Sequence, residues 1–281
     1  AEHNYIGMVF TFTDNGAVTV SMPKYVTDLL KLYDVRGAVS SPATASLFDV
    51  RDAPLLSEPD RERFHSRVAK LLFLAKRARP DILTAVSFLA TRVTRADMDD
   101  DAKLSRLLKY INGTKDLSLV LSPGNCELTA YVDASFGCHH DGKSHSGVLL
   151  TYGDAAVYSA STKQKIVTRS STEAELVALS DAIPQLLWTR NFLVELGETI
   201  GPTVVHEDNM STIALLERGS SVSPRTRHFR VRTFAFKQHC DSGELKLEYT
   251  PTNLMRADCL TKALQGRLFA TQRAWLLNIS D

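Results

Sequence analysis

Four acidic residues stand where a folded chain rarely tolerates an uncompensated charge: Asp133, Glu175, Asp208 and Asp258. Asp133 closes the run Leu128-Thr-Ala-Tyr-Val-Asp133, in which Leu128, Ala130 and Val132 alternate with Thr129, Tyr131 and Asp133, the period of a half-buried strand. Asp208 ends a second strand-like run that begins at Thr203, Glu175 falls in a helical pattern, and Asp258 opens another. Carboxylates gathered from separate elements repel one another and are costly to bury, so a divalent cation is their natural partner. Such a set suits two-metal phosphoryl transfer. Two Mg²⁺ ions, replaceable by Mn²⁺, would activate a water and stabilise the leaving oxygen of a phosphodiester. Taken singly, each acid reads more readily as a cap, a turn residue or a surface charge, Asp258 above all. As an ordered set they read as a site.

Two glutamates compete for the helical position. Ser170-Ser171-Thr172-Glu173 has capping-box spacing, which assigns Glu173 to the helix start. Glu175 shares a helical face with Ala178, Leu179, Ala182 and Leu186, so it is the one expected against the sheet and in the site.

The elements that must position these acids follow from periodicity and punctuation. Runs at 127–136, 146–152 and 155–160 read as strands, a helix spans Ser171 to Leu196, and Pro184 inside it is expected to kink or break it. Thr203 to Asp208 is a fourth strand, followed by a helix from Ser211 to Leu216 and another after Pro224 to Cys240. A fifth strand covers Glu244 to Thr250, and a final helix Ala257 to Leu264. This order describes a mixed five-stranded sheet with helices on its faces, an α/β class. Ahead of it, Asp14-Asn15-Gly16 marks a β-hairpin, Pro23 opens a short helix, and 37–60 reads as loop. Helical patterns then run from Phe64 to Ala75, from Pro80 to Leu89 and from Ala102 to Ile111. The charges at Lys70, Lys76, Arg77 and Arg79 read there as a solvated helix face. The expected division is 1–58 hairpin, short helix and loop, 59–122 helical unit, and 127–281 the sheet domain.

Composition bounds the rest. In 281 residues, 44% are apolar and 23% charged, which excludes a disordered chain, and the net charge of +1 leaves any nucleic-acid signal to local distribution. Two basic segments without an acid flank the predicted site: Tyr158 to Thr172, with Lys163, Lys165 and Arg169, and Gly219 to Cys240, with Arg225, Arg227, Arg230, Arg232 and Lys237. They suit phosphate contacts, which position a duplex without reading its sequence. His228 joins them as a phosphate contact or an aid to product release, and His206 reads as packing. His139, His140 and His145 share a turn, but without a cysteine pair at finger spacing they do not read as a zinc site. The four cysteines form no CxxC pair and read as reduced thiols of an intracellular protein, no apolar run reaches membrane-spanning length, and the abrupt start suggests a piece of something longer.

With these motifs assembled, the sequence resembles the C-terminal part of reverse transcriptases from copia-type (Ty1/copia, Pseudoviridae-like) LTR retrotransposons. Tyr131-Val-Asp-Ala134, Ser161-Thr-Lys-Gln-Lys165, Ser170-Ser-Thr-Glu-Ala-Glu175, Asp208-Asn209 and Ala257-Asp-Cys-Leu-Thr-Lys262 are similar to that family's ribonuclease H motifs in order. The resemblance implies a ribonuclease H-like fold, the catalytic and metal-holding quartet Asp133, Glu175, Asp208 and Asp258, and a nucleic-acid contact at Asn209. It further implies an RNA–DNA hybrid as substrate. Leu74-Ala-Lys-Arg77 and Lys109-Tyr-Ile-Asn-Gly-Thr114 are similar to the thumb and connection, and Tyr5-Ile-Gly-Met8 to the primer-grip hairpin. The polymerase's own aromatic-x-Asp-Asp motif is absent, so the implied partner is a separate fingers and palm portion, and a homodimer is compatible with the reading. The setting it implies is a cytoplasmic virus-like particle or the nucleus. Phe136 where the family carries Trp, Arg230 where it carries an acid, and Pro184 depart from the pattern without touching an implied ligand. The competing readings are a catalytically silent tether of the same shape and an integrase-type nuclease, whose D-D-E order this chain does not show.

Overall fold

The fold was analysed in a computed structural model, which describes residues 1–122, 124–219 and 230–280, with Arg230 described by its backbone alone. The chain forms two compact units, 1–123 together with 262–281, and 124–261.

The second unit carries the four acids. Its strands are β5 (Leu128–Ser135), β6 (His145–Tyr152), β7 (Ala155–Lys163), β8 (Thr203–Glu207) and β9 (Leu245–Tyr249), in the spatial order β7-β6-β5-β8-β9. The hairpin-linked strands β5, β6 and β7 pair antiparallel, while β8 and β9 run parallel to β5. Parallel neighbours need crossover connections, and helices supply them. These are α5 (Ser171–Glu195) between β7 and β8, and α6 (Met210–Arg218) and α7 (Arg230–Asp241) between β8 and β9.

Alternation in β5 sends Leu128, Ala130 and Val132 into the core, where Ala130 and Val132 meet Leu176, Leu179 and Leu186 of α5. Each fully buried leucine of that face contributes about 1.5–3 kcal/mol. Helix α5 starts where the capping signal put it: the Ser170 hydroxyl accepts from the Glu173 N–H, and the Glu173 carboxylate accepts from the Arg169 N–H at 2.6 Å. It then runs through Pro184 without the expected break. Pro184 is exposed while Ala182, Ile183 and Leu186 are buried, so packing on the sheet carries the helix past the lost N–H bond.

The expected final helix from Ala257 to Leu264 is replaced by a single 3-10 turn, Asp258–Leu260, and the last helix is α8 (Gly266–Leu277), which packs in the first unit. Leu260 and Leu264 mimic a helical repeat, but the Thr261 N–H closes back on the Asp258 carbonyl at 3.1 Å, a tight turn rather than a continuing helix.

In the first unit, β1 (Glu2–Tyr5), β2 (Met8–Phe12), β3 (Val18–Ser21) and β4 (Leu119–Leu121) form an antiparallel sheet in that order. The expected hairpin between β2 and β3 is present. A tight turn at Ile6-Gly7, both at positive φ, adds a further hairpin between β1 and β2. Helices α1 (Pro23–Leu32), α2 (Glu58–Ala75), α3 (Leu83–Ala90) and α4 (Met98–Gly113) surround a core that includes Phe64, Leu71, Leu89 and Leu104. Helix α4 starts before Ala102 because Asp97 and Asp100 form a reciprocal capping box.

Arg79 departs from the solvated-face reading. It is 2% exposed and grips Asp81 with two bonds, Nε to Oδ1 and Nη2 to Oδ2, both 2.8 Å. Nη1 donates to the Thr114 carbonyl at 2.8 Å, and the Tyr110 hydroxyl donates to Asp81 Oδ2 at 2.7 Å. Burial pushes the Asp81 carboxyl up, and Arg79 with Tyr110 more than reverses this, holding it below its ordinary value.

Candidate metal centre

Strand register explains why two of the acids meet. Tyr131 pairs with His206 on parallel β5 and β8, and their rings stack at 4.6 Å. Two residues further along both strand directions are Asp133, near the end of β5, and Asp208, just past β8. Open α/β sheets collect their sites at that edge. Glu175, one turn into α5, is delivered to the same edge by the face that packs on the core. One ligand oxygen each from Asp133, Glu175 and Asp208 all lie within 4.8 Å of one another, with Asp133 and Glu175 buried.

Asp258 is buried in its 3-10 turn but stands outside that group of three. A side chain links it nonetheless: the Thr261 hydroxyl donates to Asp133 Oδ2 and lies 3.1 Å from the Asp258 carbonyl. Asp208 Oδ2 accepts from the Thr252 hydroxyl at 2.7 Å.

A fifth acid, Glu207, was not singled out from sequence. It is 0% exposed and occupies the core-facing parity of β8 with Thr203 and Val205. Its Oε1 accepts from the Asn209 N–H at 2.9 Å, whereas Oε2 is buried without a hydrogen-bond partner. Burial, reinforced by the Asp208 and Asp133 carboxylates and opposed by the Asn209 N–H, pushes Glu207 up to about 8. A glutamate in phase with two core residues was the available signal. Three converging carboxylates, two of them buried, make a donor set that fits a hard divalent cation.

The candidate nucleic-acid contacts divide. Lys165 and Arg169 are exposed. Lys163 Nζ is paired with Asp141 at 2.9 Å, and Arg232 with Asp181 at 2.8 Å. The Asn209 side chain caps α6, accepting from the Thr212 N–H at 3.0 Å. Arg225, Arg227 and His228 lie outside the described residues, as does the side chain of Arg230.

The histidine turn forms a chain of its own. His139 Nε2 lies 2.9 Å from His145 Nδ1, and His145 Nε2 lies 2.7 Å from Ser161 Oγ. The His139–His145 link holds one proton, and charging both rings at once would set one N–H against another across it. Burial, with Lys163 nearby, depresses His139 to about 4; burial, with His139 and Lys163, depresses His145 to about 3. The unfolded chain takes up these protons near the ordinary histidine value of about 6.5, so this contribution is complete above that pH. It is lost as pH falls from about 6.5 towards the folded values. Urea midpoints are therefore expected to drop more between pH 7.5 and 5 for the wild type than for a His139→Gln, His145→Gln double variant. Equal drops would show that the pair does not titrate on unfolding.

Taken together, fold and site define an α/β domain, a mixed five-stranded sheet with flanking helices, carrying a carboxylate cluster at the ends of its parallel strands. The sequence is 29% identical over 258 residues to the retrovirus-related Pol polyprotein from transposon TNT 1-94 of Nicotiana tabacum, covering 89% of this chain and 19% of that one. It is 31% identical over 273 residues to the Pol polyprotein from transposon RE2 of Arabidopsis thaliana, covering 95% and 18%. The transposon Ty1-NL2 Gag-Pol polyprotein of Saccharomyces cerevisiae is 24% identical over 284 residues, covering 95% and 16%. The chain's homologues are thus Ty1/copia-type Pol polyproteins over most of its length, and it spans under a fifth of theirs. No family model matches it. Among solved structures, LC11-RNase H1 isolated from compost is similar at 19% identity and a TM-score of 0.38, covering 48% of this chain and 92% of that one. No helix among the described residues is long and apolar enough to cross a membrane.

Proposed function

We propose that this chain hydrolyses the RNA strand of RNA–DNA hybrids in a divalent-metal-dependent reaction, as one portion of a larger reverse-transcribing protein. The observation that carries this reading is the convergence of Asp133, Glu175 and Asp208 within 4.8 Å. Keeping three carboxylates so close costs stability unless a cation is bound there. The homology to Pol polyproteins supports a nucleic-acid substrate over other phosphodiesters.

Asp133, Glu175 and Asp208 would hold the metal, with Asp258 added from its turn. Bound divalent ions supply polarisation of the attacking water and of the leaving oxygen. The chain's own residues do the rest. The end of β5 and the residue after β8 would present Asp133 and Asp208, and the sheet-packed face of α5 would present Glu175, so these three acids would be held by packed elements. Exposed Lys165 and Arg169 would contact backbone phosphates, joined in this reading by Asn209, Lys163, Arg225, Arg227, His228, Arg230 and Arg232. Recognition of 2′-hydroxyls would select the RNA strand. A fingers and palm portion supplied by the rest of such a protein is the proposed partner.

The test is cleavage of an end-labelled RNA–DNA hybrid with Mg²⁺ or Mn²⁺, beside DNA duplex and EDTA controls. Metal-dependent cuts confined to the RNA strand, leaving 3′-hydroxyl and 5′-phosphate ends, are expected. Tight hybrid binding without cleavage at any metal concentration would replace this reading with that of a silent tether.

A further inference from the structure

The geometry points to Thr261 as a positioning residue of the acidic centre, one that fixes the Asp133 carboxylate and ties to it the turn carrying Asp258. This rests on the metal-dependent reading above. Thr261 is 0% exposed, and its hydroxyl reaches two acceptors, Asp133 Oδ2 and the Asp258 carbonyl. A hydroxyl has one proton to give. The Asp258 carbonyl already accepts the Thr261 backbone N–H at 3.1 Å, so the hydroxyl proton goes to the carboxylate, the stronger acceptor. With Oδ2 engaged, the carboxylate can no longer rotate freely.

A second contact, independent of the first, seats the same turn. Gly147 is the register partner of Asp133 on β6. A Cβ built at Gly147 would fall 2.7 Å from Thr261 Cγ2, 2.9 Å from Leu260 Cβ and 3.1 Å from the Ala257 carbonyl oxygen. The turn therefore lies flush on the strand beside Asp133, at a place where only glycine leaves room. One polar and one steric contact locate Asp258, which lies outside the group of three, relative to Asp133. Groups that orient metal ligands in this way typically govern metal affinity by 10–100-fold.

The experiment compares Thr261→Val, which keeps the shape and removes the hydroxyl, with Thr261→Ser, which keeps the hydroxyl, and with Gly147→Ala, which displaces the turn without removing the hydroxyl from the chain. Mn²⁺ binding is read without nucleic acid by titration calorimetry or electron paramagnetic resonance. The Mg²⁺ concentration giving half-maximal hybrid cleavage is read in parallel with KM for the hybrid. Thr261→Val and Gly147→Ala are each expected to weaken Mn²⁺ binding about tenfold and to raise the Mg²⁺ midpoint similarly, with KM unchanged. Thr261→Ser is expected to stay within about twofold of the wild type. Wild-type Mn²⁺ affinity in Thr261→Val, or equal losses in the Ser and Val variants, would overturn the role. Mn²⁺ binding that follows the expected pattern in a protein unable to cleave the hybrid would overturn hydrolysis and uphold Thr261.

Discussion

Asp208→Asn is expected to lower hybrid cleavage by about a thousandfold or more, equivalent to at least about 4 kcal/mol of barrier, while leaving the fold intact or slightly stabilised in EDTA. The substitution keeps the shape and the oxygen that accepts from the Thr252 hydroxyl, so packing at the end of β8 is undisturbed. It removes one negative charge from a trio whose ligand oxygens lie within 4.8 Å of one another, with buried Glu207 beside them. Without metal those charges repel, so taking one away relieves the folded state. With metal they are the binding energy, so taking one away removes the catalyst. Melting in EDTA and in Mg²⁺, beside single-turnover cleavage, separates the two effects. A variant that loses stability in EDTA and keeps most of its cleavage would show that the trio is a structural cluster.

How much of this was legible beforehand depended on whether the signal was local. The alternation that ends in Asp133, the Ser170 and Glu173 cap and the choice of Glu175 over Glu173 are properties of a few adjacent side chains, and each reappears in the fold. Convergence of Asp133 with Asp208 needs the register of two strands far apart in the chain, which a single sequence does not display. The resemblance supplied that grouping. Leu119–Leu121 is too short for a visible period and becomes a strand only because β3 is there to pair with it. The final helix was misplaced because Leu260 and Leu264 keep helical spacing across a turn that long-range contacts with Gly147 and Asp133 stop from continuing. Glu207 was hidden by its neighbour: beside a candidate aspartate, its core-facing parity drew no notice. Arg79 was hidden among other basic residues. Only the pairing of Arg79 with Asp81 two residues on marks it out, and that pairing is common on surfaces too.

Arg79 supports the second large effect. Arg79→Ala is expected to destabilise the first unit by about 3–5 kcal/mol, the cost of leaving a buried charge without its partner. The Asp81 side chain is 0% exposed, and without the guanidinium it would be left leaning on the Tyr110 hydroxyl as its side-chain donor. The substitution also frees the Thr114 carbonyl and hydroxyl, at the end of α4, from two bonds of 2.8 and 2.7 Å. Removing both charges is a different matter. An Arg79→Met, Asp81→Leu double variant abolishes the uncompensated carboxylate, and because burying an ion pair is itself costly it should recover much of the loss. Urea denaturation of the wild type, Arg79→Met, Asp81→Leu and the double variant gives the coupling directly. A single variant no less stable than the double would mean that water reaches Asp81 and solvates it. The stability of this unit would then rest on apolar packing around Phe64, Leu71 and Leu104, with the ion pair serving to orient the end of α4 against the turn at Pro80.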